Sequence, residues 1–124
     1  MRPEVMLFVR DVEASSRWYQ QVLGLKSGHG GREFEMLLDE DGNLAFQLHR
    51  ADAEEHGDHG LSEGAPRGAG VMFYLRTQDV QRTYDHVRSI GAKVRSEPAY
   101  IDKARHTEFV VEDPDGYALA FYAR

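Results

Sequence analysis

The sequence predicts an α+β fold in which one β-α-β-β-β module is written twice in tandem. Three observations predict it. A strand-like run leading into a capped helical stripe occurs near the start and again past the middle of the chain. Each helical stripe is followed by three further strand-like runs. The 124 residues suffice for one domain with a buried core and need no staples.

The first element is Val5-Met6-Leu7-Phe8-Val9, apolar and β-prone. Asp11 follows as a helix N-cap, because its carboxylate can accept from the free N–H groups of the first turn. Val12, Trp18, Tyr19, Val22 and Leu23 recur near the 3.6-residue helical period, and Gly24 supplies a left-handed stop. Strand-like runs at Leu25–Ser27, Phe34–Leu38 and Leu44–His49 complete the first module, with a hairpin turn at Asp39-Glu40-Asp41-Gly42-Asn43.

The second module opens on Val71-Met72-Phe73-Tyr74-Leu75. Asp79 is its N-cap, Val80, Tyr84, Val87 and Ile90 form the stripe, and Gly91 is the stop. The Asp-Val pairs at 11–12 and 79–80 are 68 residues apart, and the same offset superposes Val5 on Phe73 and Leu7 on Leu75. That self-similarity marks an internal repeat. Runs at Lys93–Ser96, Thr107–Val111 and Tyr117–Tyr122 follow, the last two joined by a turn at Asp113-Pro114-Asp115-Gly116. The chain is therefore expected to be one domain over 1–124, with module 1 at about 1–50, a connection at about 51–67 and module 2 at about 68–124. The connection is rich in Gly, Asp, Glu and His and longer than most, which marks it as functional or mobile.

Composition excludes several classes. The net charge of −6, from 15 Lys and Arg against 21 Asp and Glu, argues against nucleic-acid binding, which needs clustered cations to neutralise phosphates. It would favour a cationic ligand if the acids line a site. There is no cysteine, hence no disulfide framework or thiolate metal site. No apolar run is long enough to span a bilayer, and the first residues lack the apolar stretch of a signal peptide, so a cytoplasmic protein without membrane attachment is expected.

The segments VMLFVRDVEASSRWYQQVLGL at 5–25, LRTQDVQRTYDHVRSIGAKV at 75–94 and FVVEDPDGYALAFY at 109–122 carry a resemblance. Taken in order, they resemble the glyoxalase/bleomycin-resistance/extradiol-dioxygenase superfamily, the vicinal oxygen chelate proteins. The resemblance implies two βαβββ modules whose curved mixed sheets enclose a cleft, usually in a homodimer. In its metal-dependent members the first, fourth, fifth and eighth strands each give one His, Glu or Gln to a divalent cation. Other members, the bleomycin-binding type among them, hold a drug without a catalytic metal.

Strand alternation then assigns the faces. Glu4, Met6 and Phe8 face the cleft from the first strand, and Ala45, Gln47 and His49 from the fourth. Met72, Tyr74 and Arg76 face it from the fifth, and Ala118, Ala120 and Tyr122 from the eighth. By resemblance the four ligand seats fall on Glu4, Gln47, Met72 and Ala120. Alanine has no donor and a thioether is a soft, weak ligand, so the usual metal site is expected to be dismantled and no cofactor is expected. The expected ligand is an aromatic or cationic small molecule. It would be held by Glu4, Met6, Phe8, Gln47, His49, Met72, Tyr74, Arg76, Ala120 and Tyr122, with aromatic walls and a few orienting polar groups.

The alternative is a divalent-metal enzyme, a glyoxalase-like isomerase or lyase or a dioxygenase. It would hold Zn, Ni, Mn or Fe through Glu4, Gln47 and His49, completed by a loop histidine such as His56 or His59 near Asp58. His29, in Ser27-Gly28-His29-Gly30-Gly31, reads as a turn histidine, and His86 and His106 take no role. No catalytic residue is assigned, since the spacing supports no Ser-His-Asp or Cys-His arrangement.

Overall fold

The structure, a computed structural model, describes residues 1–52 and 59–124. Its described chain divides into two compact units, Met1–Pro66 and Arg67–Arg124. In the first, β1 (Met6–Val9) leads through α1 (Val12–Leu23) to β2 (Lys26–Ser27), β3 (Phe34–Leu38) and β4 (Leu44–Arg50). The second repeats this with β5 (Met72–Arg76), α2 (Val80–Ser89), β6 (Lys93–Ile101), β7 (His106–Glu112) and β8 (Ala118–Ala123). The sheet orders are β1-β4-β3-β2 and β5-β8-β7-β6, so both modules have one topology, two tandem βαβββ units. In each, the first strand lies parallel to the last, as the helical crossover requires, and the rest are antiparallel.

Capping starts both helices as predicted. Asp11 Oδ1 accepts from the N–H of Ala14, and Asp79 Oδ1 from that of Arg82, both at 3.0 Å. Gly24 ends α1 with a φ of 69°, and its N–H reaches the Gln20 carbonyl. The buried stripe of α1 is Val12, Ser15, Ser16, Tyr19 and Val22, with Tyr19 against Phe46. That of α2 is Val80, Tyr84 and Val87, with Tyr84 edge-on to Phe109. Ile90 departs from the expected stripe. The helix closes at Ser89 and Ile90 leaves helical geometry at ψ 8°, which leaves its side chain exposed.

Alternation sorts the strands as expected. Leu7, Val9, Phe46 and Leu48 are buried in module 1, and Phe109, Val111, Leu119 and Phe121 in module 2. The two predicted hairpin turns share one device. Asp39 Oδ1 accepts from the N–H of Asp41 and Asn43, and Asp113 Oδ1 from the N–H of Asp115 and Tyr117. Gly42 and Gly116 supply the positive φ, 82° and 100°, that closes each turn.

β6 is longer than the predicted Lys93–Ser96 and runs to Ile101. It is an edge strand whose register slips between Val94 and Ser96 and again between Ser96 and Ala99. Pro98 is tolerated there, because a bulged edge does not need its missing N–H.

One core position in module 1 is polar. Glu35 on β3 is 2% exposed and faces α1. Its Oε2 accepts from the hydroxyls of Ser16 at 2.9 Å and Ser27 at 2.7 Å. Its Oε1 accepts from the N–H groups of His29, Gly30 and Met36 at 3.0, 2.7 and 2.9 Å. The carboxylate thus ties α1 and the Ser27–Gly31 bend to the sheet. Burial pushes its pKa up, but the bonds from Ser27, Gly30, Ser16 and His29 outweigh burial and hold it below the usual carboxylate range. His29 is a bend residue: its Nδ1 sits 2.6 Å from the Gly30 carbonyl and its ring lies edge-on to Phe34.

Candidate functional site

Apart from Glu4, the predicted site residues fall on the helix-distal faces of the two sheets, and each face is described within its own module. In module 1 the register pairs Met6 with Gln47 and Phe8 with His49, so these four share a face. β3 adds Phe34 beside His49 and Met36 beside Gln47. His49 is buried, its ring lies 5.4 Å from that of Phe8, and its Nδ1 is 2.7 Å from the Arg50 carbonyl. Glu4 stands outside the sheet, which starts at Met6. Its exposed carboxylate lies 3.7 Å from the Arg2 guanidinium. It lines a surface recess of ≈220 Å³ with Arg2, Pro3, Asn43 and Ala45.

In module 2 Met72 pairs with Ala118, Tyr74 with Ala120 and Arg76 with Tyr122, which puts all six on the helix-distal face. Ala118, Ala120 and neighbouring Val110 form a buried floor of small side chains, while Met72 and Tyr74 stay 42% and 52% exposed. Met72 also lines a recess of ≈380 Å³ with Arg67, Gly70, Val71, Arg95 and Ala118.

β7 contributes residues that received no role from the sequence. Its alternation puts His106, Glu108, Val110 and Glu112 on the same face. His106 Nε2 lies 2.6 Å from Glu108 Oε1, and the Tyr74 hydroxyl donates to that oxygen at 3.3 Å. The rings of Tyr74, His106 and Tyr122 are mutual neighbours, with centroids 4.8 to 6.1 Å apart. The Tyr74 phenol is pushed above its usual range by partial burial, then by the Glu108 charge and the bond to it. Farther along β7, Glu112 is held below its usual range by hydrogen bonds from Arg95 and Lys93, which outweigh the small cost of desolvation. The signal for His106 and Glu108 was available: the core pattern of Phe109 and Val111 fixes residues 106, 108, 110 and 112 on the other face.

The chain belongs to the Glyoxalase/Bleomycin resistance protein/Dioxygenase superfamily, whose family model matches residues 3–121. Solved structures share the fold. A glyoxalase-related enzyme from Fulvimarina pelagi matches with a TM-score of 0.80 and 15% identity, over 100% of this chain and 88% of that one. A glyoxalase/bleomycin resistance protein/dioxygenase from Nocardioides gives 0.78 and 21%, over 99% and 84%. A lactoylglutathione lyase from Agrobacterium tumefaciens gives 0.73 and 14%, over 99% and 92%. No curated protein matches the chain.

The family implies a divalent metal in some members, and the donor set here can be tested against one. Module 2 offers a thioether at Met72 and a methyl group at Ala120, neither a ligand for a hard or borderline cation. Ala120 is fully buried besides. In module 1 the Glu4 carboxylate is engaged by Arg2. Among the described residues, no three His, Asp or Glu side chains gather as a metal shell would require. The described residues do not fit the metal. His56 and Asp58 lie outside the described residues, and the described His59 is exposed. Among the described residues no helix is long and apolar enough to cross a membrane.

Proposed function

We propose that this chain is a small-molecule-binding member of its family that holds an aromatic or cationic compound without a metal, as a homodimer. The observation that carries the reading is the chemistry of Met72 and Ala120 on the helix-distal face of module 2. At two seats that the family resemblance gives to metal ligands, this chain has a methyl group and a soft, weakly ligating thioether. The same face carries what a flat organic ligand needs: exposed aromatic surface at Tyr74, a second ring at Tyr122, an adaptable thioether at Met72, and a carboxylate. One structural relative carries bleomycin resistance protein in its name beside glyoxalase and dioxygenase, and the negative net charge suits a cationic guest.

The test is calorimetric titration of the protein with bleomycin and a series of planar aromatic drugs, beside the variant Tyr74→Ala. The reading predicts saturable binding to a member of the series and its weakening in the variant. No saturable binding, together with an unchanged variant, would remove it.

A further inference from the structure

We infer that Glu108 is the seat for an organic ammonium group, beside the packed rings of Tyr74 and Tyr122 on the helix-distal face of module 2. This rests on the ligand-binding reading above and adds the chemical class of the guest and the group that recognises it. The two oxygens of Glu108 are differently placed. Oε1 is taken by His106 Nε2 at 2.6 Å and by the Tyr74 hydroxyl at 3.3 Å. Oε2 has no partner among the described residues, and the only buried, unpartnered side-chain atom among them is His106 Nδ1. Oε2 therefore keeps access to solvent, on a side chain that is only 15% exposed.

Half-shielded carboxylates are normally paired, since taking a charge out of water without a partner is costly. Glu108 has no lysine or arginine partner among the described residues. The carboxylate at Glu112, two residues along the same face, has both Lys93 and Arg95. His106 does not fill the gap. With its Nε2–H donated to Glu108, the buried Nδ1 presents only a lone pair, and a second N–H there would face no acceptor.

Two aromatic residues adjoin Glu108: Tyr74, whose hydroxyl meets Oε1, and Tyr122, its register partner on β8. Tyr74 and Tyr122 pack edge to face at 5.7 Å, and Tyr122 already attracts one cation, the Arg124 guanidinium 5.8 Å from its centroid. An ammonium N–H donated to Oε2 would add a charge-assisted bond, and its carbon skeleton would lie on the rings.

The experiment compares 1-naphthylmethylammonium with the uncharged isostere 1-naphthylmethanol on the full chain, by calorimetry and by NMR shifts of labelled tyrosine rings. The expected result is that the ammonium binds at least about tenfold more tightly, with shifts at Tyr74 and Tyr122. Glu108→Gln, of the same shape, should bring the ratio near one while leaving the alcohol's affinity alone. Equal affinities in the unaltered protein, a preference surviving Glu108→Gln, or no saturation by the ammonium would each overturn the assignment. The unaltered protein's ratio stands even if the variant folds poorly. Failure here is distinguishable from failure of the broader reading. If both probes bind alike and Tyr74→Ala weakens both, aromatic binding holds and Glu108 loses its role.

Discussion

Glu35 offers a sharp test of how the first module is held together. Glu35→Ala removes the acceptor for five donors: two serine hydroxyls and the N–H groups of His29, Gly30 and Met36. They will not all cost the same. His29 and Ser27 are exposed, so their donors regain water, and Gly30 is partly exposed. Ser16 is buried, and the Met36 N–H lies within the sheet. At about 1–3 kcal/mol for each buried donor left unsatisfied, two such groups give roughly 3–4 kcal/mol. That is a large share of the roughly 5–15 kcal/mol by which domains are stable. Glu35→Gln should be milder, about 1–2 kcal/mol, because the new amide can turn its NH₂ toward serine hydroxyls that rotate to accept it.

The pH dependence has a definite sign. The folded-state pKa of Glu35 lies below the ordinary value of 4.5, because the donors outweigh burial. The carboxylate's contribution is therefore fully present above that value and is lost as pH falls through the folded pKa. Urea unfolding at a series of pH values measures both effects, and the gap between native protein and Glu35→Gln should close on acidification. A Glu35→Ala penalty under about 1 kcal/mol, or a Glu35→Gln gap that ignores pH below about 5, would refute the reasoning.

Other outcomes follow from the same geometry. In a spectrophotometric titration one tyrosine should ionise above the usual phenol range, and Glu108→Gln should bring it down by removing a negative neighbour; no change would sink the Tyr74–Glu108 contact. Asp113→Ala should cost about 2 kcal/mol in thermal or urea unfolding, since buried Asp113 accepts two turn N–H groups. Asp39→Ala, at the equivalent but more exposed turn, should cost about half that, and the reverse order would contradict the burial assignment. The proposed homodimer, which rests on the family resemblance alone, would give twice the mass of one chain in light scattering, and a monomer in dilute solution would remove it.

Most of the fold was legible because its signals are local and doubled. The Asp-Val caps, the glycine stops and the Asp-x-x-Gly turns each specify a backbone event on their own. The full length of β6 is hidden in the sequence because Pro98 and the charged residues of an edge strand mask its period, and only pairing with β7 reveals it. The role of Glu35 is hidden for a related reason. In Phe34-Glu35-Met36-Leu37-Leu38 both faces carry apolar residues, so the sequence does not say that the charged position turns inward to five donors. The site was half legible. Alternation placed Met6, Phe8, Gln47 and His49 together, and Met72, Tyr74, Arg76, Ala120 and Tyr122 together. β7 bears no ligand seat in the family resemblance, and its His106 and Glu108 meet Tyr74 only across β8 in the folded sheet.

The central proposal is that the protein holds no divalent metal. Elemental analysis of untagged protein, purified without chelator, addresses it most directly. A divalent-metal content below about a tenth of an equivalent is predicted, as expected where too few protein donors converge. Near one equivalent of Zn, Ni, Mn or Fe, retained through dialysis, would contradict the account and restore the enzyme reading through Glu4, Gln47 and His49.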